Sequence, residues 1–362
     1  MGASASQHHP VTTNLFFFRT EIEALCSAQI ANHCDANETA LLFAQNDKAL
    51  AIARLMTSQP IQMLDNQARG FFSRTRELLA HIRHVRQSVA ATGNPARIVI
   101  HVSRLLNSTV NFYIQDLINH FPQAHLAVHI IPHGINSQLV MPLSRADRFK
   151  VILKKYSRCY LGISYFSEIH DKYGFTAPIT EKIYAIPGLE HVIQQFHKHV
   201  EAVPLSRVNA LDVSAPDNGR MLVIGQKWIY DFHATPSDYT RLVHLTEAQH
   251  TQLVEKLKQL AIDYGVSGVD YLPHPRRKEV MELYDPSFHC LETSQSCEMI
   301  VLQNKYRVIA SFSSTALIFA RLLSGNNGTT VLSVGTEASK RPEVVRVTRE
   351  LMENIGVRLL TL

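Results

Sequence analysis

Short apolar or aromatic runs alternate with longer stretches of helical periodicity over most of the chain. Asn14–Phe18 reads as a strand, and a helix follows to about Asn32. Ala40–Phe43 and Ile61–Leu64 are short strands around another helical stretch. Phe71–Ala91 repeats its apolar residues at helical spacing and stops at Thr92-Gly93-Asn94-Pro95. The strand Arg97–Val102, the helix Ser108–His120 and the strand His125–Ile131 continue the series. Alternation of this kind predicts a parallel sheet wrapped by helices.

A second series begins after Leu205–Gly219, whose polar end with Pro and Gly reads as a linker. Met221–Gly225, Val269–Leu272, His289–Leu291, Tyr306–Ala310 and Thr330–Val334 are its expected strands. Thr246–Tyr264, Ser296–Gln303, Ser314–Leu323 and about Pro342–Ile355 are its helices. The expectation is an α/β chain of two doubly wound Rossmann-like domains, residues 1–210 and 211–340, followed by a helix and tail at 341–362. Open parallel sheets bind ligands beyond the carboxyl ends of their strands, so residues just after strands are the first candidates for function.

Composition narrows the picture. With 362 residues, 46% of them hydrophobic and 19% charged, the chain is globular and long enough for two domains. Its five cysteines are scattered and odd in number, which fits reduced thiols in a cytosolic protein rather than a disulfide framework. The N-terminal stretch has no basic leader, so no secretory signal is expected. Leu117–Ser144 lacks Asp, Glu, Lys and Arg, yet four histidines and three prolines interrupt it, so it is not a membrane span. A net charge of +5 and nineteen histidines suit a phosphate-bearing substrate, a polyanion or an anionic membrane surface, without choosing among them.

Three motifs occupy post-strand positions. In the first, His133 precedes Gly134 directly after the strand ending at Ile131. A neutral imidazole there can take a proton from a hydroxyl; the plainer reading is a loop histidine. In the second, His274 and Pro275 follow Val269–Leu272, with Arg276 and Arg277 behind them. Such a histidine can donate to a departing phosphate oxygen, or be an ordinary turn histidine. In the third, Ser311-Phe312-Ser313-Ser314-Thr315 crosses from a strand into a helix. Free N–H groups and hydroxyls at a helix N-terminus hold phosphate without a metal, and a serine there is equally an N-cap. The chain has no Asp-x-Asp, P-loop, G-x-G-x-x-G, G-x-S-x-G or H-E-x-x-H, and no zinc-ligand spacing. A nucleic-acid-binding face of interleaved basic and aromatic residues is not evident.

Taken in order, Val223-Ile224-Gly225-Gln226, Tyr271-Leu272-Pro273-His274-Pro275-Arg276, Glu298 and Ser311–Leu317 resemble the bacterial sialyltransferases of GT-B fold. The polysialyltransferase and lipooligosaccharide sialyltransferase families are the nearest likeness. The resemblance implies two domains facing a central cleft and inverting transfer from a CMP-activated sugar, without a metal or other cofactor. On it, His274 assists the leaving CMP phosphate, Ser313 and Ser314 hold that phosphate, and Pro275, Ser311 and Thr315 belong with them to the nucleotide-binding set. Gly225 and Gln226 line the nucleotide pocket, and Glu298 takes the ribose. The families carry an acidic base where this chain has His133, which makes His133 the expected base. His-Gly, His-Pro and Ser-Ser in this order also resemble CDP-glycerol and CDP-ribitol polyol-phosphate transferases, which remain the alternative. A non-catalytic two-domain binding protein is a third reading.

The stretch Arg145–Arg158 places six Lys or Arg among fourteen residues against one Asp. It is either a solvated helix face or, through Arg145, Arg148, Lys154 and Lys155, a contact for an anionic glycan acceptor or the inner face of a membrane. The resulting expectation is a cytoplasmic, peripherally membrane-associated transferase. It moves sialic acid or a related nonulosonic acid to a bacterial surface glycan.

Overall fold

The computed structural model describes residues 11–65, 68–106, 108–133, 142–194, 199–205, 217–226, 245–274, 283–292, 295–325, 327–339 and 342–362. The chain divides into two compact units, Met1–Pro204 and Leu205–Leu362. Each carries one wholly parallel sheet with helices between its strands, so the α/β class read from the sequence holds.

In the first unit the strands are β1 (Thr12–Phe18), β2 (Glu38–Ala44), β3 (Ile61–Met63), β4 (Arg97–Val102), β5 (His125–Ile130), β6 (Thr180–Ala185) and β7 (Val200–Ala202). Their order across the sheet is β3-β2-β1-β4-β5-β6-β7. The chain therefore winds outward one way from β1 and the other way from β4, leaving a topological switch between these neighbours. β1 is buried at six of its seven positions and ends in the apolar run Leu15–Phe18, because both of its faces are covered. Leu15 and Phe17 point into a core with Ile98, Ile100, Val128 and Ile130. That core is closed by helices α3 (Phe71–Ala90) and α4 (Val110–His120). On the other face lies α1 (Glu21–Ala31), buried from Glu23 onward and packed on α2 (Asp47–Met56). Helices α5 (Arg145–Tyr156) and α6 (Glu190–Gln194) complete the unit.

The second unit repeats the winding. Its strands are β8 (Met221–Ile224), β9 (Val269–Leu272), β10 (His289–Cys290), β11 (Val308–Ser311), β12 (Thr330–Val334) and β13 (Arg358–Leu360), ordered β10-β9-β8-β11-β12-β13. Its helices are α7 (Glu247–Asp263), α8 (Cys297–Gln303), α9 (Thr315–Ser324) and α10 (Pro342–Asn354). The switch lies between β8 and β11. Strands β6, β7 and β13 are absent from the sequence expectation. Thr180–Ala185 mixes charged and apolar residues, and the other two are only three residues long.

One loop braces the carboxyl end of β4. The buried Asp171 carboxylate accepts from the N–H groups of Tyr173, Gly174, Phe175 and Thr176 at 2.7–3.2 Å and from Thr176 Oγ1 at 2.7 Å. The turn so formed offers the Tyr173 and Lys172 carbonyls to the N–H groups of Leu105 and Leu106. Gly174, at φ +91°, is pressed against the Leu105 side chain, where a Cβ would come within 2.5 Å. Asp171→Ala would leave these donors buried without an acceptor. It is expected to cost about 2–4 kcal/mol in chemical unfolding, while Asp171→Asn, which keeps one acceptor oxygen, recovers part of the loss.

Candidate functional site

Glu23, His133 and Ser103 come together at the switch point of the first unit. Arg19 follows the end of β1 and Thr20 opens α1 as its N-cap, so Glu23 falls at the third helical position of a capping box. Its Oε2 accepts from the Arg19 and Thr20 N–H groups at 2.6 and 3.0 Å. Its Oε1 accepts from Ser103 Oγ, just beyond β4, at 2.5 Å. It also lies 2.6 Å from Nδ1 of His133, just beyond β5.

Glu23 is only 4% exposed. Burial pushes its carboxyl upward, but the hydrogen bond and charge of His133, with the Ser103 and Arg19 donors, outweigh that effect and hold it below its ordinary value of 4.5. In its neutral form an imidazole that donates Nδ1–H to the carboxylate has Nε2 as its proton acceptor. The His133 side chain keeps 35% of its surface exposed. An oriented imidazole backed by a buried carboxylate is the arrangement of a general base.

The second unit places Gly225, Gln226, Ser311, Ser313 and His274 about its own switch. Gly225 donates its N–H to the Leu272 carbonyl at 2.8 Å. A Cβ on Gly225 would lie 2.8 Å from that carbonyl oxygen and from the Tyr271 hydroxyl, and 3.0 Å from the His274 backbone nitrogen. Only glycine lets the ends of β8 and β9 approach so closely. Across the switch, Gln226 Nε2 donates to Ser313 Oγ at 2.9 Å, and the Ser313 N–H donates to Gln226 Oε1 at 2.8 Å. His274 and Ser313 thus flank the same dipeptide.

The serines divide their tasks. Ser311 is fully buried and spends its hydroxyl on the Ile224 carbonyl at 2.8 Å, joining the ends of β11 and β8. Ser314 is the N-cap of α9, its Oγ accepting from the Ala316 N–H at 3.3 Å, and Thr315 is the first residue of that helix. The opening of α9 therefore presents a positive dipole end beside Ser313. Glu298 stands in the first turn of α8, a helix packed on α9. Gly134, Pro275, Arg276 and Arg277 lie outside the described residues. A separate cavity of about 1180 Å³ in this unit is lined by Arg220, Asp270, His289, Gln295 and Tyr306, among others, and includes none of His274, Gln226 and Ser313. Two of its lining residues, Arg220 and Asp270, form an ion pair at 2.6 Å.

The four basic candidates Arg145, Arg148, Lys154 and Lys155 all lie on α5. Ser144 caps that helix in a capping box with Asp147. Lys154 is half-buried beside Tyr165, its Nζ 5.9 Å from the ring centroid. Burial, followed by the charges of Arg158 and Arg104, lowers its pKa. Among the described residues no group of three or more His, Cys, Asp and Glu side chains is placed to hold a metal ion.

Glu23 and Ser103 were not among the sequence candidates. The signal that could have marked Glu23 is Thr20-x-x-Glu23 immediately after a strand, a capping box at a ligand-binding edge.

No protein-family model matches the chain, and no curated protein does. Solved structures resemble it at low identity. A UDP-GlcNAc 2-epimerase from Neisseria meningitidis bound to UDP-GlcNAc is 11% identical, with a TM-score of 0.46 over 96% of this chain and 94% of that one. An alpha/beta-galactoside alpha-2,3-sialyltransferase from Photobacterium phosphoreum is 13% identical, with a TM-score of 0.47 over 97% and 99%. A UDP-GlcNAc 2-epimerase from Methanocaldococcus jannaschii is 14% identical, with a TM-score of 0.42 over 97% and 88%. Likeness at these scores assigns no activity.

Because the folded-state pKa of Glu23 is depressed, its contribution to stability is complete above 4.5 and is lost as pH falls through the folded value. Glu23→Gln is expected to lower stability by about 1–3 kcal/mol at neutral pH and to flatten the acid limb of a stability-against-pH curve. Urea unfolding between about pH 3 and pH 7 reads both effects. An acid limb as steep as that of the unsubstituted chain would contradict the assignment.

Proposed function

We propose that this chain is a metal-independent inverting glycosyltransferase. It moves sialic acid or a related nonulosonic acid from its CMP donor to a hydroxyl of a bacterial surface glycan. The supporting observation is that each parallel unit gathers reactive groups at its switch point. The first holds an imidazole backed by a buried carboxylate, and the second sets the His274 backbone and Ser313 on either side of Gly225-Gln226, next to the N-terminus of α9.

On this reading the two units divide the chemistry. His133 Nε2 takes the proton of the acceptor hydroxyl as its oxygen bonds to the anomeric carbon, and Glu23 stabilises the imidazolium that results. The bond from the anomeric carbon to the CMP phosphate oxygen breaks, and its electron pair leaves with CMP. His274 hydrogen-bonds or protonates that oxygen. Ser313, Thr315 and the first N–H groups of α9 offset the phosphate charge, as a helix N-terminus does for anions generally. Gly225 and Gln226 form the wall beside the nucleotide, Glu298 receives the ribose hydroxyls, and Ser311 and Ser314 hold the strand end and helix start in place. The basic side chains of α5 supply the contact for an anionic acceptor at a membrane. A CDP-polyol phosphate transferase is the second reading, favoured by the histidine, rather than an acid, in the base position.

Incubation with CMP-sialic acid or with CDP-glycerol, across a range of glycan acceptors, separates the readings. Release of CMP from CMP-sialic acid, unchanged by EDTA, is expected. Release from CDP-glycerol alone would replace this reading with the second, and release from neither would favour a binding protein.

His274→Ala is expected to lower kcat by about 100-fold or more with unaltered thermal unfolding. His133→Ala is expected to abolish transfer to acceptor while CMP remains bound, measured by calorimetric titration with CMP. A fully active His274→Ala enzyme removes the leaving-group role.

A further inference from the structure

Eight of the ten exposed large apolar side chains among the described residues fall in two short stretches, 71–72 and 149–161. Helix α5 carries four of them and is built the wrong way round for a helix that only covers a core. At about 100° per residue, Phe149, Ile152, Leu153 and Tyr156 share an arc of about 100° on one side of the helix. All four are more than half exposed, whereas Val151, on the opposite side, is the one buried residue of the helix. Arg148 and Lys155 flank the apolar arc on one side, and Lys150 and Lys154 on the other.

The surface continues beyond the helix. Tyr160, 66% exposed, and Leu161 follow it in a 3-10 turn. The start of α3 is fastened to the same place. Arg158 Nε donates to Thr75 Oγ1 at 3.2 Å, and its guanidinium lies 5.3 Å from the Phe71 ring centroid. Phe72, beside Phe71, is 84% exposed. Arg69, Arg74 and Arg76 add exposed positive charge around this corner.

We propose that this face of the first unit seats the chain on a bilayer containing anionic lipid. The aromatic and aliphatic side chains would enter the headgroup–acyl boundary, with the flanking cations at the phosphate level. The proposal deepens the acceptor reading above and rests on it only for its use, since an acceptor held at a membrane would be presented to a seated enzyme. Charge selects the occupant. Six cations against one Asp over residues 145–158 complement an anionic headgroup layer. The same charges repel a second copy apposed through the same face. Aromatic rings beside Lys and Arg are the composition of an interfacial helix, and the long cationic side chains can lie along apolar surface with their heads in water. No helix among the described residues is long and apolar enough to cross a membrane, so the seating proposed is peripheral.

Flotation of the full chain with vesicles tests the proposal without any donor. Binding to phosphatidylcholine vesicles containing phosphatidylglycerol is expected, with binding to pure phosphatidylcholine at least about tenfold weaker and a decline as salt is raised. The triple variant Phe72→Ser, Phe149→Ser, Tyr156→Ser is expected to bind at least about tenfold less while keeping its thermal unfolding and its CMP release with a soluble acceptor. Lys150→Glu is expected to weaken binding to the anionic vesicles only. No binding by the unsubstituted chain, equal binding to both lipids, or a triple variant that binds undiminished would each overturn the surface. CMP release, read separately, decides the transferase reading whichever way flotation falls.

Discussion

A carboxylate shielded from water must find its hydrogen bonds within the protein, and Glu23 finds them on the ends of three strands. The Arg19 and Thr20 amides follow β1, the Ser103 hydroxyl follows β4 and the His133 imidazole follows β5. Parallel order puts these three ends side by side, and the reversal of winding between β1 and β4 keeps any crossover from covering them. Fold and candidate chemistry are therefore one constraint. The Asp171 turn that fixes Leu105 and Leu106 holds the Ser103 loop, and that loop helps hold Glu23.

The second unit reaches a comparable end by a different route. Its switch is closed by a neutral amide and hydroxyls, and by a backbone approach that only a missing Cβ allows. Gly225 brings His274 against the end of β8, and Gln226 reaches across to Ser313. The second and third of the motifs singled out along the chain follow neighbouring strands here because β9, β8 and β11 are consecutive in the sheet although their order in sequence is different.

Much of this was legible in the sequence, and the parts that were not share a cause. The strands of β1, β4 and β9, and the stop of α3 at Thr92–Pro95, follow from local periodicity and turn residues. The post-strand positions of His133, His274 and Ser313 follow from the same local pattern. The capping box marks Glu23 locally, but nothing local says that the start of α1 faces the residues after β4 and β5. Only the strand order does. The outward side of α5 was half legible, since its charge could be counted, whereas which side Val151 buries is a tertiary fact. β11 begins at Val308, two residues later than expected, and Tyr306 before it donates its hydroxyl to the Asp270 carboxylate at 3.1 Å.

The contrast between the two switch points bears on how the molecule would respond to acid. The first is built on an ionised carboxylate, which accepts its hydrogen bonds in this way only while Glu23 has lost its proton. The second, His274 aside, is an amide gripping a hydroxyl, which no ordinary change of pH disturbs. Acidification would thus loosen one unit's cluster while leaving the other's skeleton set, so that failure under acid would begin on the imidazole–carboxylate side.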